Sequence, residues 1–510
     1  MWLSHAPLLP IYFLNLHQST PWSGGLWSAG SGRIVWRNLV TDRPNIVLVI
    51  TDHFRGDCLS RLGHPVAETP HLDSLSRQGA AFTQAYTPCP SCTPARRSLM
   101  TGQTPYTQGM VGYKDWVPWE YETTMAGELT RAGYQTINIG KTHFYPQRLH
   151  LGFEQLIIPE DYTEWLAQQP GIDVEQSAHG VDSNSWMGRP NHLPERLMEE
   201  TWFVSRARDF LRKRDPTRPF FLCLSFNGPH PPWCPPQVYY DQFINCELPR
   251  PIVGEWAQRH ADEAEYPLDV NAWRGQIPDH LNQRARAAYF AYLAYLDAQV
   301  GRLVRLMNRH GLFNNTFLLF TSDHGEMLGD HNLWRKTYAY EASARIPFIV
   351  RWSEGFAGAR NREIPEVVGW EDIMPTFLEL AGAAIPDSVE GRSILPLLRG
   401  ERAGWREYYH GEHSPCYHPE NANQFLSDGQ WKYIWNPITG EEQLFHLAKD
   451  PQECQELARD ATYAETLALW RRRMVVELAG REEGLSDGER LIPGPVPVWR
   501  GGDPEDIHLG

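Results

Sequence analysis

Residues 45–51 read Asn-Ile-Val-Leu-Val-Ile-Thr, and the chain runs directly on into Asp52 and His53. An unbroken apolar, β-branched run of this length is the pattern of a strand buried on both faces, as in parallel sheets covered by helices. The pattern recurs. Tyr134–Ile139 leads into Lys141 and His143, Phe220–Phe226 into His230, and Thr316–Thr321 into Asp323 and His324. Amphipathic stretches lie between these runs. Thr69 and Pro70 open a predicted helix that Gly79 closes, and others are predicted over Met125–Ala132, Glu199–Arg214 and Leu281–His310. A further strand, Pro347–Trp352, precedes a helix around Ile373–Ala381. The expected fold is therefore α/β, a large, mostly parallel central sheet flanked by helices. In such open sheets ligands bind beyond the carboxyl ends of the strands. Four strands that bring Asp, His and Lys to one edge define a candidate site there.

The texture changes near residue 400. Trp431–Trp435 and Gln443–His446 read as strands, Pro451–Arg459 and Tyr463–Leu478 as helices, and the Gly-, Pro- and acid-rich tail from Leu485 as a surface strap. The expected division is a poorly ordered N-terminal extension (1–40), a catalytic domain (41–399), and a small C-terminal α+β subdomain with its tail (400–510). With 42% hydrophobic and 21% charged residues, the composition is that of a globular chain rather than a disordered one. Lys and Arg number 47 against 62 Asp and Glu, a net charge of −15. That balance argues against nucleic acid or an anionic membrane as partner, while leaving room for a local basic pocket. No apolar run reaches the length of a transmembrane helix. Ala6–Leu16 is apolar but contains Pro7 and Pro10, and no basic residue precedes Arg33. The expected location is the cytoplasm, with export as the alternative. The eight cysteines show no disulfide spacing, and Cys89-x-x-Cys92 is the one close pair. A redox role for that pair is weaker than what the residues after Cys92 indicate.

Those residues are Cys92-Thr93-Pro94-Ala95-Arg96, followed by Met100-Thr101-Gly102. Thr93 and Pro94 open a predicted helix just after Cys92, where orphan N–H groups and the helix dipole favour an anion. A cysteine taken alone is more often a core thiol or helix cap; Pro94 and Arg96 shift the balance. The stretch resembles the signature of the sulfatases that convert a cysteine to formylglycine, Cys-x-Pro-x-Arg with a Leu/Met-Thr-Gly ending. Gly133–Lys141 with His143 resembles the second signature of that family. Ser225-Phe226, Pro229-His230 and Pro232, then Ser322-Asp323-His324-Gly325-Glu326, then Lys336, fit it in the expected order over about residues 44–460.

The resemblance implies an alkaline-phosphatase-like fold and a sulfuric ester hydrolase. It implies that a formylglycine-generating enzyme oxidises Cys92, and that the hydrated aldehyde attacks sulfur with one hydroxyl and expels sulfate with the other. It further implies a divalent metal held by Asp52, His53, Asp323, His324 and the modified Cys92. Two carboxylates suit Ca²⁺ or Mg²⁺, whereas imidazole shifts the balance toward Mn²⁺ or Zn²⁺. Calcium is expected, with Mn²⁺ or Mg²⁺ as alternatives. His53 departs from the family's ligand pattern, so it is read either as a ligand or as a histidine hydrogen-bonded beside the ion. Asp57 is read as a residue of the surrounding shell or as a turn cap. Arg96 would hold the nucleophile, and Lys141 and Lys336 the sulfate oxygens. His143 would be the base in the elimination step, and His230 would protonate the leaving alcohol.

Two loops, Asp182–Trp186 with Arg189 and His192, and His410–Asn423, are read either as leaving-group contacts or as ordinary loop packing. The expected substrate is a small sulfated molecule, a carbohydrate or an aryl sulfate. A phosphonate monoester or phosphodiester hydrolase on the same scaffold is the alternative, and a catalytically inactive binding protein the second. The sequence assigns no oligomeric state. The peptide containing Cys92, from protein made in a host with the maturation machinery, is expected to carry formylglycine by mass spectrometry. A fully retained thiol in an active preparation would contradict this.

Overall fold

The computed structural model describes residues 43–172, 180–261 and 271–500. The expectation for residues 1–40 falls outside them. Eight strands form the central sheet: β1 (Asn45–Thr51), β2 (Ala80–Phe82), β3 (Gln135–Gly140), β4 (Gln155–Ile157), β5 (Phe220–Ser225), β6 (Thr316–Ser322), β7 (Phe348–Arg351) and β8 (Arg362–Ile364). Their order is β4-β3-β5-β1-β6-β7-β2-β8. The pairs from β4 across to β6 are all parallel, so β3, β5, β1 and β6 end at one edge as adjacent neighbours. The strand expected at Pro347–Trp352 is β7, and it runs antiparallel to both β6 and β2. The chain leaves β6 at the carboxyl edge and re-enters the sheet there, without a crossover.

The continuous apolar run of β1 has its reason in the layers. Val47 and Val49 belong to one core, with Phe203 and Ala207 of the Glu199–Lys213 helix and Tyr289 and Leu293 of the Asp279–Arg309 helix. Ile46, Leu48 and Ile50 belong to the other, with Leu129 of the Met125–Arg131 helix and Phe377 of the Ile373–Ala381 helix. Both faces of the sheet are covered, so neither admits polar alternation.

A second, antiparallel sheet comprises β9 (Tyr409–His413), β10 (Asn423–Ser427), β11 (Lys432–Trp435) and β12 (Glu442–Phe445), in that order. Leu426, Tyr433 and Trp435 cluster with Trp470 and Met474 of the Ala464–Glu477 helix. Phe425, Ile434 and Phe445 cluster with Tyr338, Tyr340 and Ala344, from the segment that follows Lys336. The loop expected at His410–Asn423 therefore begins as β9 and ends at the first residue of β10. The helix expected over Pro451–Arg459 is absent. The buried Glu453 accepts the backbone N–H of Glu341 at 2.7 Å and faces the ammonium of Lys432 at 3.4 Å. Leu457 donates its N–H to Leu444 O at 2.9 Å. These outward bonds align the segment with β12 and leave no helical ladder. All eight cysteines are free. Among the described residues no helix is long and apolar enough to cross a membrane.

Gly140 ends β3 with φ +102°, and a Cβ there would stand 1.9 Å from Ser225 O. Gly140→Ala is expected to cost at least about 2 kcal/mol, combining left-handed strain with displacement of β5. The shift in urea midpoint measures it, and an unchanged midpoint would contradict the packing of β3 on β5.

Candidate active site

The carboxyl ends of the four central strands supply the polar groups. Asp52 and His53 follow β1, and both are wholly buried. His53 has φ +65°, unfavourable for a residue with a side chain, so its surroundings must hold it. Glu326 Oε2 accepts its Nδ1–H at 2.7 Å, and Tyr289 donates its hydroxyl to the His53 carbonyl at 2.8 Å. Glu326 also accepts the N–H groups of Leu328 and Arg335, at 3.1 and 2.6 Å. With Nδ1 occupied, His53 presents Nε2 to the site, the outer-shell arrangement that fixes an imidazole tautomer.

Cys92 is the first residue of the Cys92–Thr101 helix, with Ser91 as N-cap. The helix thus starts at the cysteine itself, slightly earlier than Thr93-Pro94 suggested. The Cys92 sulfur lies 3.2 Å from His324 Nε2, 3.0 Å from Lys336 Nζ and 3.6 Å from Asp52 Oδ1. Burial and Asp52 push the thiol up, but Lys141, Lys336 and His324 outweigh them and bring it down to about 6. Lys141 forms an ion pair with Asp52 Oδ2. Burial pushes the Asp52 carboxyl up, yet Lys141, His230 and His53 hold it well below the usual carboxylate range.

Arg96, one helical turn beyond Cys92, grips Asp323 through Nε and Nη2, at 3.0 and 2.9 Å. Its Nη1 donates to the Lys141 carbonyl and to Ser225 Oγ, at 2.9 and 3.0 Å. Burial and Asp52 push Asp323 up to about 6 against the pull of His324 and Arg96. The Nδ1 of His324 meets Gly325 O at 2.9 Å, leaving Nε2 directed to the cysteine. Lys336 lies between Arg335 and Thr337, whose φ angles are +69° and +86°. The Lys336 ammonium is 3.0 Å from His53 Nε2. The ring of His230 is 4.5 Å from that of His53, and its Nδ1 meets Pro231 O at 2.7 Å. Burial and Lys336 hold this imidazole neutral. His143 stands further out, its Nε2 3.7 Å from Asp115, and burial with Lys141 and Arg96 lowers it to about 3.

Ligating atoms of Asp52, His53, Cys92 and His324 all lie within 4.8 Å of one another. An ionised carboxylate with imidazole nitrogens, closed off from water, is a donor set that fits a divalent cation. Asp323 adjoins this group, 3.6 Å from His324 Nε2, with its other oxygen committed to Arg96. Asp57 does not join it: its carboxylate pairs with Arg55 at 2.8 Å on the far side of the turn.

Cys92, Lys141, His143, His230 and Lys336 open onto one cavity of about 660 Å³. Ser183 and Asn184 from the first weak loop, and Cys416 and Tyr417 from the second, line it as well. Sequence reasoning missed Glu326, although it stands at the end of the quoted Ser-Asp-His-Gly-Glu stretch. It also missed Asp115, Asn227 and Glu199, for which no local pattern gives a signal.

Residues 44–383 match the family model described as sulfatase, and residues 329–479 match the one described as N-sulphoglucosamine sulphohydrolase, C-terminal. The chain belongs to the sulfatase family. An arylsulfatase of Clostridium perfringens is 40% identical to this sulfatase over 482 residues, which cover 90% of this chain and 99% of that one. An N-acetylglucosamine-6-O-sulfatase of Bacteroides thetaiotaomicron is 24% identical over 492 residues, covering 83% of this chain and 84% of that one. The crystal structure of the phosphonate monoester hydrolase of Agrobacterium radiobacter superposes with a TM-score of 0.74 at 24% identity, covering 85% of this chain and 95% of that one. At that identity the likeness concerns the fold, which is alkaline-phosphatase-like. The sulfatase is an enzyme that hydrolyses sulfuric esters, and its family implies a metal ion and formylglycine.

Chelated protein is expected to take up one divalent ion per chain in calorimetry. Asp52→Asn should weaken that uptake at least about a hundredfold, because it removes the anionic ligand while keeping the side chain's size. Undiminished uptake would remove Asp52 from the metal set.

Proposed function

We propose that this sulfatase cleaves the sulfate monoester of a small alcohol, a sulfated carbohydrate or an aryl sulfate, with Cys92 converted to formylglycine and Ca²⁺ as the preferred ion ahead of Mn²⁺ and Mg²⁺. The observation that carries the proposal is the convergence on Cys92 of Asp52, His324 and Lys336, inside a cavity that also presents Lys141 and His230. Asp52, His53, Asp323 and His324 would hold the ion with the modified Cys92, and the ion would supply positive charge that favours an ionised nucleophile. Formylglycine, once hydrated, supplies a geminal diol with one hydroxyl to attack sulfur and a second through which sulfate is released.

The remaining work falls to this chain's own side chains. Lys336 and Lys141 bind sulfate oxygens and neutralise charge that grows on them in the transition state. Arg96 fixes Asp323 and ties the helix of Cys92 to the ends of β3 and β5. His230 has its Nδ1 committed to a backbone carbonyl, so Nε2 is the nitrogen that takes up a proton once substrate is bound and passes it to the departing alcohol. The imidazole is neutral in the empty site, and a bound sulfate group both engages Lys336 and adds negative charge, which favours protonation. His143, neutral and beside Asp115, receives the proton in the step that frees sulfate. In the folded chain Cys92 is 1% exposed, which supports its conversion by the formylglycine-generating enzyme before the domain closes. The eight free thiols support a cytoplasmic location.

His230→Ala is expected to lower kcat/KM for a poor alkoxide leaving group, such as a sugar, by roughly 10²–10⁴-fold. Nitrophenyl sulfate, whose leaving group departs without a proton, should lose much less. Lys336→Ala should lose similar amounts on both substrates. Equal losses for His230→Ala on the two esters would remove the acid role and transfer it to His143.

A further inference from the structure

Two segments, 113–119 and 141–145, meet at the wall of the catalytic cavity. Trp119 donates its N–H to Tyr145 O at 3.1 Å, and its ring centroid is 4.7 Å from that of Phe144. Trp116 meets Tyr145 edge to face in the same seam. The contact sets Asp115 against His143, the imidazole assigned to the step that frees sulfate, with Oδ1 3.7 Å from Nε2. His143 has φ +60°, a left-handed conformation that its surroundings must hold. Its two nitrogens differ. Nε2 faces the carboxylate, whereas Nδ1 is buried and has no hydrogen-bond partner among the described residues. The Tyr113 hydroxyl donates to the Asp115 carboxylate, 2.9 and 3.0 Å from its two oxygens, and the Tyr113 ring meets that of His143 edge to face. Burial raises this tyrosine, with Cys92 and Asp115 adding to it, so the hydroxyl remains a donor. Tyr113, Asp115 and His143 all line the cavity onto which Cys92 opens. Burial, Lys141 and Arg96 oppose a positive charge on His143, and Asp115 and Asp52 favour one. Asp52 is committed to Lys141 and the metal set, which leaves Asp115 as the carboxylate that answers an imidazolium there.

We propose that Asp115 is a positioning residue for sulfate release: it holds the His143 proton on Nε2, so that the unpartnered Nδ1 takes the proton of the second hydroxyl, and Tyr113 orients its carboxylate. The proposal rests on the sulfatase reading and deepens it by naming the partner of the base. In this step the O–H bond of the hydroxyl breaks and its electrons form the aldehyde C=O, while sulfate leaves with the electrons of its C–O bond. The proton ends on Nδ1, and Asp115 stabilises the imidazolium through Nε2–H. A carboxylate behind a catalytic imidazole acts in these two ways, selecting the tautomer and stabilising the cation. Such contacts are often long in an empty site and tighten when substrate is in place.

The test is the transient and steady-state kinetics of Asp115→Asn, as matured enzyme acting on nitrophenyl sulfate. Asn keeps the size of Asp115, whose side chain is 41% exposed, so the fold should tolerate the change. Its amide can donate toward Nε2 and favours a proton on Nδ1, the wrong nitrogen. Because kcat/KM reports only the steps through departure of nitrophenol, slower sulfate release leaves it unchanged. The variant is therefore expected to lose at least about tenfold in kcat and the same factor in KM. Nitrophenol should appear in a burst of about one equivalent per chain, followed by the slow turnover. Tyr113→Phe should show the same pattern with a smaller loss. If kcat/KM falls together with kcat, with KM unchanged and no burst, the cavity is merely disturbed and the proposal is overturned. An unchanged kcat in Asp115→Asn overturns it too, while an unchanged kcat in Tyr113→Phe removes Tyr113 alone. Failure of the wild-type enzyme to release nitrophenol would overturn the sulfatase reading itself, whereas wild-type turnover with either negative result for Asp115→Asn overturns only the role of Asp115.

Discussion

A carboxylate without contact with water, Asp52, sits at the end of the central strand against Lys141, His53, His324 and Cys92. Buried charge is tolerated only when opposite charge and hydrogen bonds surround it, and removing one partner leaves the other stranded. The rest of the centre follows from this requirement. Lys141 must come from β3, His324 and Asp323 from β6, and the helix of Cys92 must dock across the edge formed by β3, β5, β1 and β6. Asp323 brings a second buried carboxylate, which Arg96 compensates. The resulting cluster carries acids and bases in near balance.

Lys336 shows how much of the protein this balance recruits. It is carried on no strand of the central sheet but on a loop with left-handed residues at 335 and 337, a conformation costly for Arg and still more for the β-branched Thr. Glu326 ties the start of that loop to His53, and the cluster around Tyr338, Tyr340, Phe425 and Phe445 clamps its far side. The C-terminal sheet thus holds the Lys336 segment in place, and the connection between β9 and β10 contributes Cys416 and Tyr417 to the cavity. A catalytic domain cut off near residue 400 would retain every strand end and lose the clamp on Lys336.

The central sheet was legible because a strand buried on both faces leaves an unmistakable apolar run, and because its polar residues fall immediately after that run. Lys141, His230, Asp323 and His324 were legible for the same reason, since they follow strand ends, whereas Cys92 and Arg96 were legible through the resemblance of Cys92-Thr93-Pro94-Ala95-Arg96 to the sulfatase signature. The orientation of β7 was not, because parallel and antiparallel pairing of a buried strand leave the same apolar pattern. The helix expected at Pro451–Arg459 failed because local propensity carries no trace of Glu453 reaching Lys432 and Glu341. Asp115, Asn227 and Glu199 share that limitation: each acquires its role from a partner far away in the chain. Which side chains compensate a buried charge is decided by packing between layers, and local sequence registers only that the charge exists.

The most direct test of the central claim, that these strand ends form a site for sulfuric ester hydrolysis, is a parallel measurement on the matured enzyme. Nitrophenyl sulfate, a nitrophenyl phosphonate monoester and bis-nitrophenyl phosphate share a leaving group and differ in the centre attacked. The account predicts the highest kcat/KM for the sulfate, lost in Cys92→Ala. A higher kcat/KM for the phosphonate or the phosphodiester would contradict it.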